Sequence, residues 1–542
     1  MQPTLSDSNF DSASDSDLNA TPAEASQEES PLTKRQTSVM MASVLIVALC
    51  GIVYELIIAA VSSYLLGNSV YQFSMTIGFF MFAMGVGSYI SKWFHHNLIS
   101  TFITIEIMVA LIGGICSSLL FLAFPFHSFY RPTMFGLIIV IGTLVGLEIP
   151  LLARILSRST AWKESIANVL SLDYLGALIG SVAFPLLLLP SLGLFQSSFM
   201  VGLLNIGVAI VSIFVFGDTL KHYRACFWAA MLVLACLIVG LLASEKLTQF
   251  AESQLYADKV IFLKQTPYQR IVVTENALNK RIRLYLDKHI QFASVDEHRY
   301  HESLVHPVMS AEGKRTHVLI LGGGDGLAVR EVLKYPDVEK ILMIDIDPAI
   351  TEFCSTFNPI VELNQGALKN EKLTIVNQDA FSYLLDYAGK EGKDFPRFDR
   401  VIIDLPDPHN EVLDKLYSKE FYEIVRTCMT PDGYMVSQCS SPFFAKEVFW
   451  CINRTMEAAS FSVKPYRVPM VSFGIWGFNL CAADGNPIES VQIDSKKCRF
   501  LSTEIFAASQ IFGRDIEKID SPINRTFEPK LYSLYLKGLT QN

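Results

Sequence analysis

The sequence predicts a two-part chain: an all-α membrane bundle of about seven transmembrane helices, then a small β domain leading into an α/β Rossmann-like nucleotide fold. Three observations predict it. The 542 residues are 51% apolar and only 18% charged, with a mean hydropathy of +0.34, too apolar for one ordinary soluble fold. The apolar runs are concentrated between about residues 39 and 244, and everything after Ser244 has ordinary soluble composition. Finally, the strand-like run His317–Leu321 breaks into Gly322, Gly323, Gly324, Asp325 and Gly326, and a second apolar run, Ile341–Ile344, ends in Asp345 about 20 residues on.

Residues 1–37 are rich in Ser, Asp and Glu, end near Lys34-Arg35, and read as a disordered acidic tail without a cleavable signal. Residues 38–244 read as a multi-pass transmembrane domain of the cell membrane. Seven segments, Leu45–Leu66, Phe73–Phe94, Phe102–Phe124, Phe135–Leu156, Val169–Leu189, Phe199–Phe216 and Phe227–Leu242, are apolar enough to cross about 30 Å of hydrocarbon. Any one run could be a buried core helix; seven in series, separated by short polar loops, are not explained that way. Lys34, Arg35, Lys92, Arg154, Arg158, Lys163, Lys221 and Arg224 fall on one side of a seven-helix count, against Arg131 on the other, so the amino terminus is expected in the cytoplasm. Seven crossings then put the carboxyl-terminal domain outside. Either the count is off by one near Pro185 and Pro190, or the domain works on the far side.

Glu55, Glu106, Glu148 and Asp173 lie inside the apolar runs with no basic residue nearby in sequence. Acids at that depth face a bundle interior or an aqueous path, serving either as a cation route or as packing clamps beside small-residue contacts such as Gly176–Gly180. The net charge of −9 gives no reason to expect nucleic acid, and ten cysteines without a CxxC pair or His/Cys cluster support neither zinc nor a disulfide framework. No metal is expected.

Residues 245–312 read as a linker and small β domain, with strands at Arg270–Thr274, Arg281–Leu286 and Ile290-Gln291, and residues 313–542 as the nucleotide fold. Gly322 and Gly324 let backbone approach a ligand, and Asp345 is placed to accept hydrogen bonds from two ribose hydroxyls. A nicotinamide dinucleotide fits poorly: the third glycine position is Leu327, and Asp325 sets a carboxylate where a pyrophosphate would lie. A carboxylate suits a cation, which points to a methyltransferase-type fold holding a sulfonium nucleoside, its amino group on Asp325. The strand Leu373–Val376 leads to Asp379-Ala380, whose acid can reach an adenine amino group. Strand Phe398–Asp404 ends in two carboxylates three apart, Asp404 and Asp407, which a proline-stiffened turn can aim into one crevice.

In this order Tyr268-Gln269, Leu286-Asp287 with Gln291, Asp296-Glu297 with Tyr300-His301-Glu302, Gly322–Gly326, Asp345, Asp379-Ala380 and Asp404-x-x-Asp407-Pro408 resemble the polyamine aminopropyltransferases, the spermidine synthases, in the branch fused to a multi-pass membrane domain. The resemblance covers roughly Leu263 to Phe478. It implies aminopropyl transfer from decarboxylated S-adenosylmethionine, a cosubstrate, to putrescine, with no prosthetic group. It assigns the nucleoside to Gln269, Gln291, Gly322, Gly324, Asp345, Asp379 and Ala380, the aminopropyl amine to Asp325, the acceptor diamine to Tyr300, His301 and Asp407, and the proton to Asp404. The chain departs from the family pattern at Lys288, a usual glycine, at Asp345, a usual Glu, and at His409-Asn410, a usual Gly-Pro. His409 is expected to face solvent; Trp476 either roofs the crevice or sits in the core. Expected partners are polyamine and nucleoside small molecules and the lipid bilayer, with no nucleic acid and a homodimer left open. Two other function classes stand beside this one: an S-adenosylmethionine-dependent methyltransferase, and a membrane polyamine transporter or sensor whose soluble domain only binds its ligand.

Overall fold

A computed structural model of the chain describes residues 31–541, apart from 67–68, 125, 160, 221, 254, 390–396, 486–487 and 489–490. Most of the expected acidic tail, residues 1–30, lies outside the described residues. The apolar half forms α1 (Lys34–Leu66), α2 (Ser69–Ile90), α3 (Leu98–Ala123), α4 (His127–Leu156), α5 (Trp162–Ala183), α6 (Leu189–Val215) and α7 (Tyr223–Ser253).

These seven helical stretches amount to six candidate spans by length and hydropathy, not the seven separate ones expected. The reason lies around the prolines. A π turn at Phe184–Leu188 joins α5 to α6, so that Trp162–Val215 is one run of 54 residues. At 1.5 Å per residue that is roughly 80 Å, over twice the ~30 Å of a hydrocarbon layer. The run breaks at Gly193, whose φ of 71° and ψ of −174° suit glycine alone.

Hydrogen bonds tie the helix ends into two groups. At one end, the Gln36 amide donates to Val215 O at 3.5 Å, Thr37 meets Ser159 at 3.4 Å, and the Arg154 guanidinium donates to Ser91 O at 2.7 Å and Phe94 O at 2.8 Å. At the other end Tyr64 of α1 and Phe124 after α3 meet the soluble half. Between the ends the helices pack through small residues, as the sequence suggests for Gly176 and Gly180: a Cβ on Gly176 would lie 2.3 Å from Leu45 O, and one on Gly180 2.5 Å from the Ile52 side chain. Large apolar side chains cover the outer faces, Trp228, Leu232 and Leu242 being 69%, 72% and 80% exposed.

The soluble half begins with an antiparallel sheet, β1 (Lys259–Gln265), β2 (Arg270–Glu275), β3 (Ile282–Leu286) and β4 (His289–Ala293), paired in that order. The β3–β4 turn, Asp287-Lys288, is left-handed at both residues. Its Lys288 ammonium donates to Tyr64 O and lies 4.2 Å from the centre of the Tyr64 ring and 5.5 Å from that of Phe124, while the Arg270 guanidinium sits 5.6 Å from Tyr64. The hairpin is thereby seated on the end of α1.

Helix α8 (Glu297–Met309) leads into a seven-stranded sheet of β5 (His317–Gly322), β6 (Lys340–Ile344), β7 (Leu373–Val376), β8 (Phe398–Asp404), β9 (Met429–Gln438), β10 (Ser462–Met470) and β11 (Gly474–Ala482). The spatial order is β10-β11-β9-β8-β5-β6-β7, with β5 to β9 parallel and β10–β11 an antiparallel hairpin. Strand order reverses between β5 and β8. That reversal opens a crevice at the carboxyl ends of these two strands, where open α/β sheets hold their ligands.

Candidate active site

Sequence builds the crevice floor directly. Gly322 ends β5 in register with Asp404 at the end of β8, and a Cβ on Gly322, which has φ 81°, would fall 2.1 Å from Asp404 O. Gly324 donates its N–H to Asp345 Oδ2 at 3.1 Å, and a Cβ there would come within 2.6 Å of the same oxygen. The glycines therefore fit because two acidic strand ends press on them. Gly324→Ala is expected to push Asp345 aside and weaken nucleoside binding at least tenfold, checked by isothermal titration with methylthioadenosine.

A cavity of about 610 Å³ opens above this floor, and its lining includes every one of the twelve residues the sequence singles out. They arrive from both sheets and from α8. Asp325 caps the turn after β5, taking the Leu327 N–H on Oδ1 at 2.9 Å. Gln269, from the loop between β1 and β2, donates to Asp347 Oδ2 at 2.9 Å. Asp345 accepts the Asp347 N–H at 3.0 Å, and burial raises its pKa to about 6. Asp379 caps the following helix through Ser382 and receives Lys415 at 3.0 Å, so both its oxygens are already engaged. Those bonds outweigh burial and hold its pKa below the usual value.

The part of the cavity around Asp404 and Asp407 is different in kind. Tyr300 on α8 donates to Asp404 Oδ1 at 2.7 Å. Burial raises Asp404 to about 6; the charge of His301 opposes the rise and that of Asp325 adds to it. Burial also raises Asp407, to about 7, against hydrogen bonds from Ser440, at 3.0 Å to Oδ2, and from Gln438. Asp407 Oδ1 is buried with no hydrogen-bond partner among the described residues. Burial alone would lower His301, but its Nδ1 hydrogen-bonds to Glu297, which Arg330 holds bidentately at 2.9 and 3.0 Å. With Asp325 and Asp404 also near, His301 is raised to about 9 and carries a proton at neutral pH. Its charge favours the ionised form of Asp404, and its ring forms part of the cavity wall.

One expectation fails. His409 does not face solvent: it stacks on His289 with ring centres 4.2 Å apart inside the cavity, and burial lowers it to about 4. The cause is the β3–β4 turn, which carries His289 over the site. Trp476 lines the cavity and donates to Gln438 Oε1 at 3.2 Å. Gln438 at the end of β9 and Ser440 just beyond it, Tyr535 of the carboxyl-terminal helix, and Asp347, which holds Gln269 and precedes α9 (Pro348–Thr356), were not legible as site residues. Only Asp347 carried a signal, the Asp-Pro of a helix start, and its carboxylate does accept the Ala349 N–H.

The family model described as "Spermine/spermidine synthase domain" matches residues 297–494. A polyamine aminopropyltransferase of Leptospira interrogans is 42% identical over 493 residues, 91% of this chain and 97% of that one. The chain belongs to the polyamine aminopropyltransferase family. The family relationship extends through the helical half, since relatives from Oceanobacillus iheyensis, 38% identical, and Mycobacterium tuberculosis, 36%, are each matched over 93% of this chain. A solved spermidine synthase from Thermotoga maritima is 25% identical with a TM-score of 0.40, covering 47% of this chain and 84% of its own.

For this aminopropyltransferase-family chain the raised carboxyls set a pH expectation. If Asp404 and Asp407 serve the reaction as carboxylates, kcat/KM should fall as pH drops through about 7 and 6, far above the usual aspartate value near 3.9. A flat profile down to pH 5 would remove both acids from the reaction.

Proposed function

We propose that the chain transfers the aminopropyl group of decarboxylated S-adenosylmethionine to putrescine, giving spermidine and methylthioadenosine. The observation that carries this is the buried Asp404–Asp407 step: one carboxylate held by Tyr300, the other offering an unpartnered oxygen, both beside Asp325 and the nucleoside glycines. A diamine nitrogen has an ordinary pKa of about 10.4 and is almost wholly protonated at pH 7, a deficit of about 5 kcal/mol. Asp407 holds the far ammonium of the diamine, Asp325 that of the aminopropyl arm, and Asp404 takes the proton from the attacking nitrogen. That nitrogen then bonds to the aminopropyl carbon attached to sulfur as the C–S bond breaks; the bonding pair stays on sulfur, which leaves as neutral thioether. Holding both reactants in line supplies much of the acceleration. No bound cofactor takes part; the nucleoside is consumed as a cosubstrate. A methyltransferase has no use for the second carboxylate or for the Tyr300–Asp404 pair. Purified protein given decarboxylated S-adenosylmethionine and a panel of amines should release methylthioadenosine with putrescine; release with no amine would sink this reading.

The helical half is proposed to lie in the cell membrane, with Trp162–Val215 making two passes. Its apolar outer faces and the length of that run support this. With α1 starting at the end opposite the catalytic domain, an impermeant thiol reagent on intact cells should label a single cysteine placed near Lys34 or one near Lys246, never both. Labelling of both would overturn the seven-pass count.

A further inference from the structure

The helical half holds a second polar site that aminopropyl transfer does not use. Four helices converge on it: Tyr54 from α1, Glu106 from α3, Glu148 from α4 and Asn205 from α6, exposed by 0%, 0%, 1% and 0%. The two carboxyl groups approach each other within hydrogen-bonding reach, with no basic group beside either among the described residues. Asn205 Nδ2 donates to Glu106 Oε2 at 2.9 Å. Among the described residues, Glu106 Oε1, both Glu148 oxygens, Asn205 Oδ1 and the Tyr54 hydroxyl then meet no donor. Gly113 makes room for the Tyr54 ring, since a Cβ there would lie 2.5 Å from it.

The chemistry missing from this site is specific. Acceptor oxygens outnumber the donors that meet them, and buried polar groups left in that state are costly. A packing clamp between helices would pair its acceptors with donors from the neighbouring helix; this cluster does so once. Among the described residues no group of His, Cys, Asp and Glu suits a metal ion. A primary ammonium supplies what is lacking, three N–H donors and one positive charge in a compact head.

We propose that Glu106, Glu148, Asn205 and Tyr54 bind the ammonium group of an alkylamine within the helix bundle, the same chemical class that the catalytic cavity takes and makes. The choice of amine rests on the function proposed above; the donor–acceptor imbalance does not. The test is equilibrium dialysis of the purified full chain with labelled putrescine, and separately spermidine, at saturating methylthioadenosine. Native protein should bind two equivalents, and Glu106→Gln/Glu148→Gln one, with turnover unchanged. Equal stoichiometry in the two proteins overturns the site. If the double variant also loses turnover, Tyr54→Phe decides: the second class of site should weaken about tenfold, the loss of roughly one hydrogen bond to a charged group, and an unchanged isotherm overturns it. One equivalent in native protein, with the variant altering only proton release on titration, would reassign the pair to a shared proton and end the proposal. If no amine is turned over, the catalytic reading fails, while the bundle site still stands or falls on stoichiometry alone.

Discussion

Asp404→Asn should lower kcat by a factor of order 10² or more while leaving methylthioadenosine affinity nearly unchanged. The amide keeps the shape of the side chain and can still meet Tyr300, whose hydroxyl lies 2.7 Å from Oδ1, so the crevice should not collapse. What it loses is the capacity to take a proton from the attacking amine. Steady-state turnover and nucleoside titration on one preparation check both halves of the statement. Near-native turnover would take Asp404 out of the role of base and leave Asp407 as the remaining candidate.

Asp407→Asn should act on affinity instead. In the proposed mechanism its Oδ1, without a hydrogen-bond partner among the described residues, takes the far ammonium of the acceptor, and removing the charge from a buried pair costs about 2–5 kcal/mol, roughly 30-fold to several-thousand-fold in kcat/KM for the diamine. The loss should appear in the diamine KM and not in the nucleoside KM. The same change should raise the thermal midpoint of ligand-free protein at pH 8. Burial lifts the folded-state pKa of Asp407 to about 7, above its unfolded value near 3.9, so the stability this group contributes is full below the unfolded value and lost as pH rises through 7. At pH 8 the native carboxylate is a destabilising charge, and the amide removes it. A variant with an unchanged diamine KM or a lower midpoint contradicts this account.

The parts of the site legible in sequence are those where one short segment carries both strand and function. The run from β5 into Gly322–Gly326 and the acids ending β6 and β8 announce their crevice because a parallel strand end delivers its next residues to a fixed edge. The glycines and acids among the twelve singled-out residues line the cavity for that reason, while Gln269 and Gln291 reach it from the antiparallel sheet and Tyr300 and His301 from α8. What stayed hidden comes from segments brought near only by tertiary packing. Ser440 lies 33 positions beyond Asp407, whose carboxylate it holds, and nothing local marks it. His409 looked solvent-facing because its stacking partner, His289, sits on another sheet. In the helical half, hydropathy located every apolar stretch but could not tell that a π turn runs two of them together at Phe184–Leu188.

Lys288 gives the junction between the halves a thermodynamic meaning. Its turn bears on the last residues of α1 on one side and carries His289 into the cavity on the other. Two units joined only by a tether melt separately; two that share such a brace lend each other protection. Backbone amides of the β3–β4 hairpin should therefore exchange hydrogen more slowly in the full chain than in one beginning at Ser244, where the lysine meets water instead of the Tyr64 ring. Removing the helices would loosen the hairpin that shapes one wall of the cavity, so the helical half would be felt in the affinity of a site it does not line.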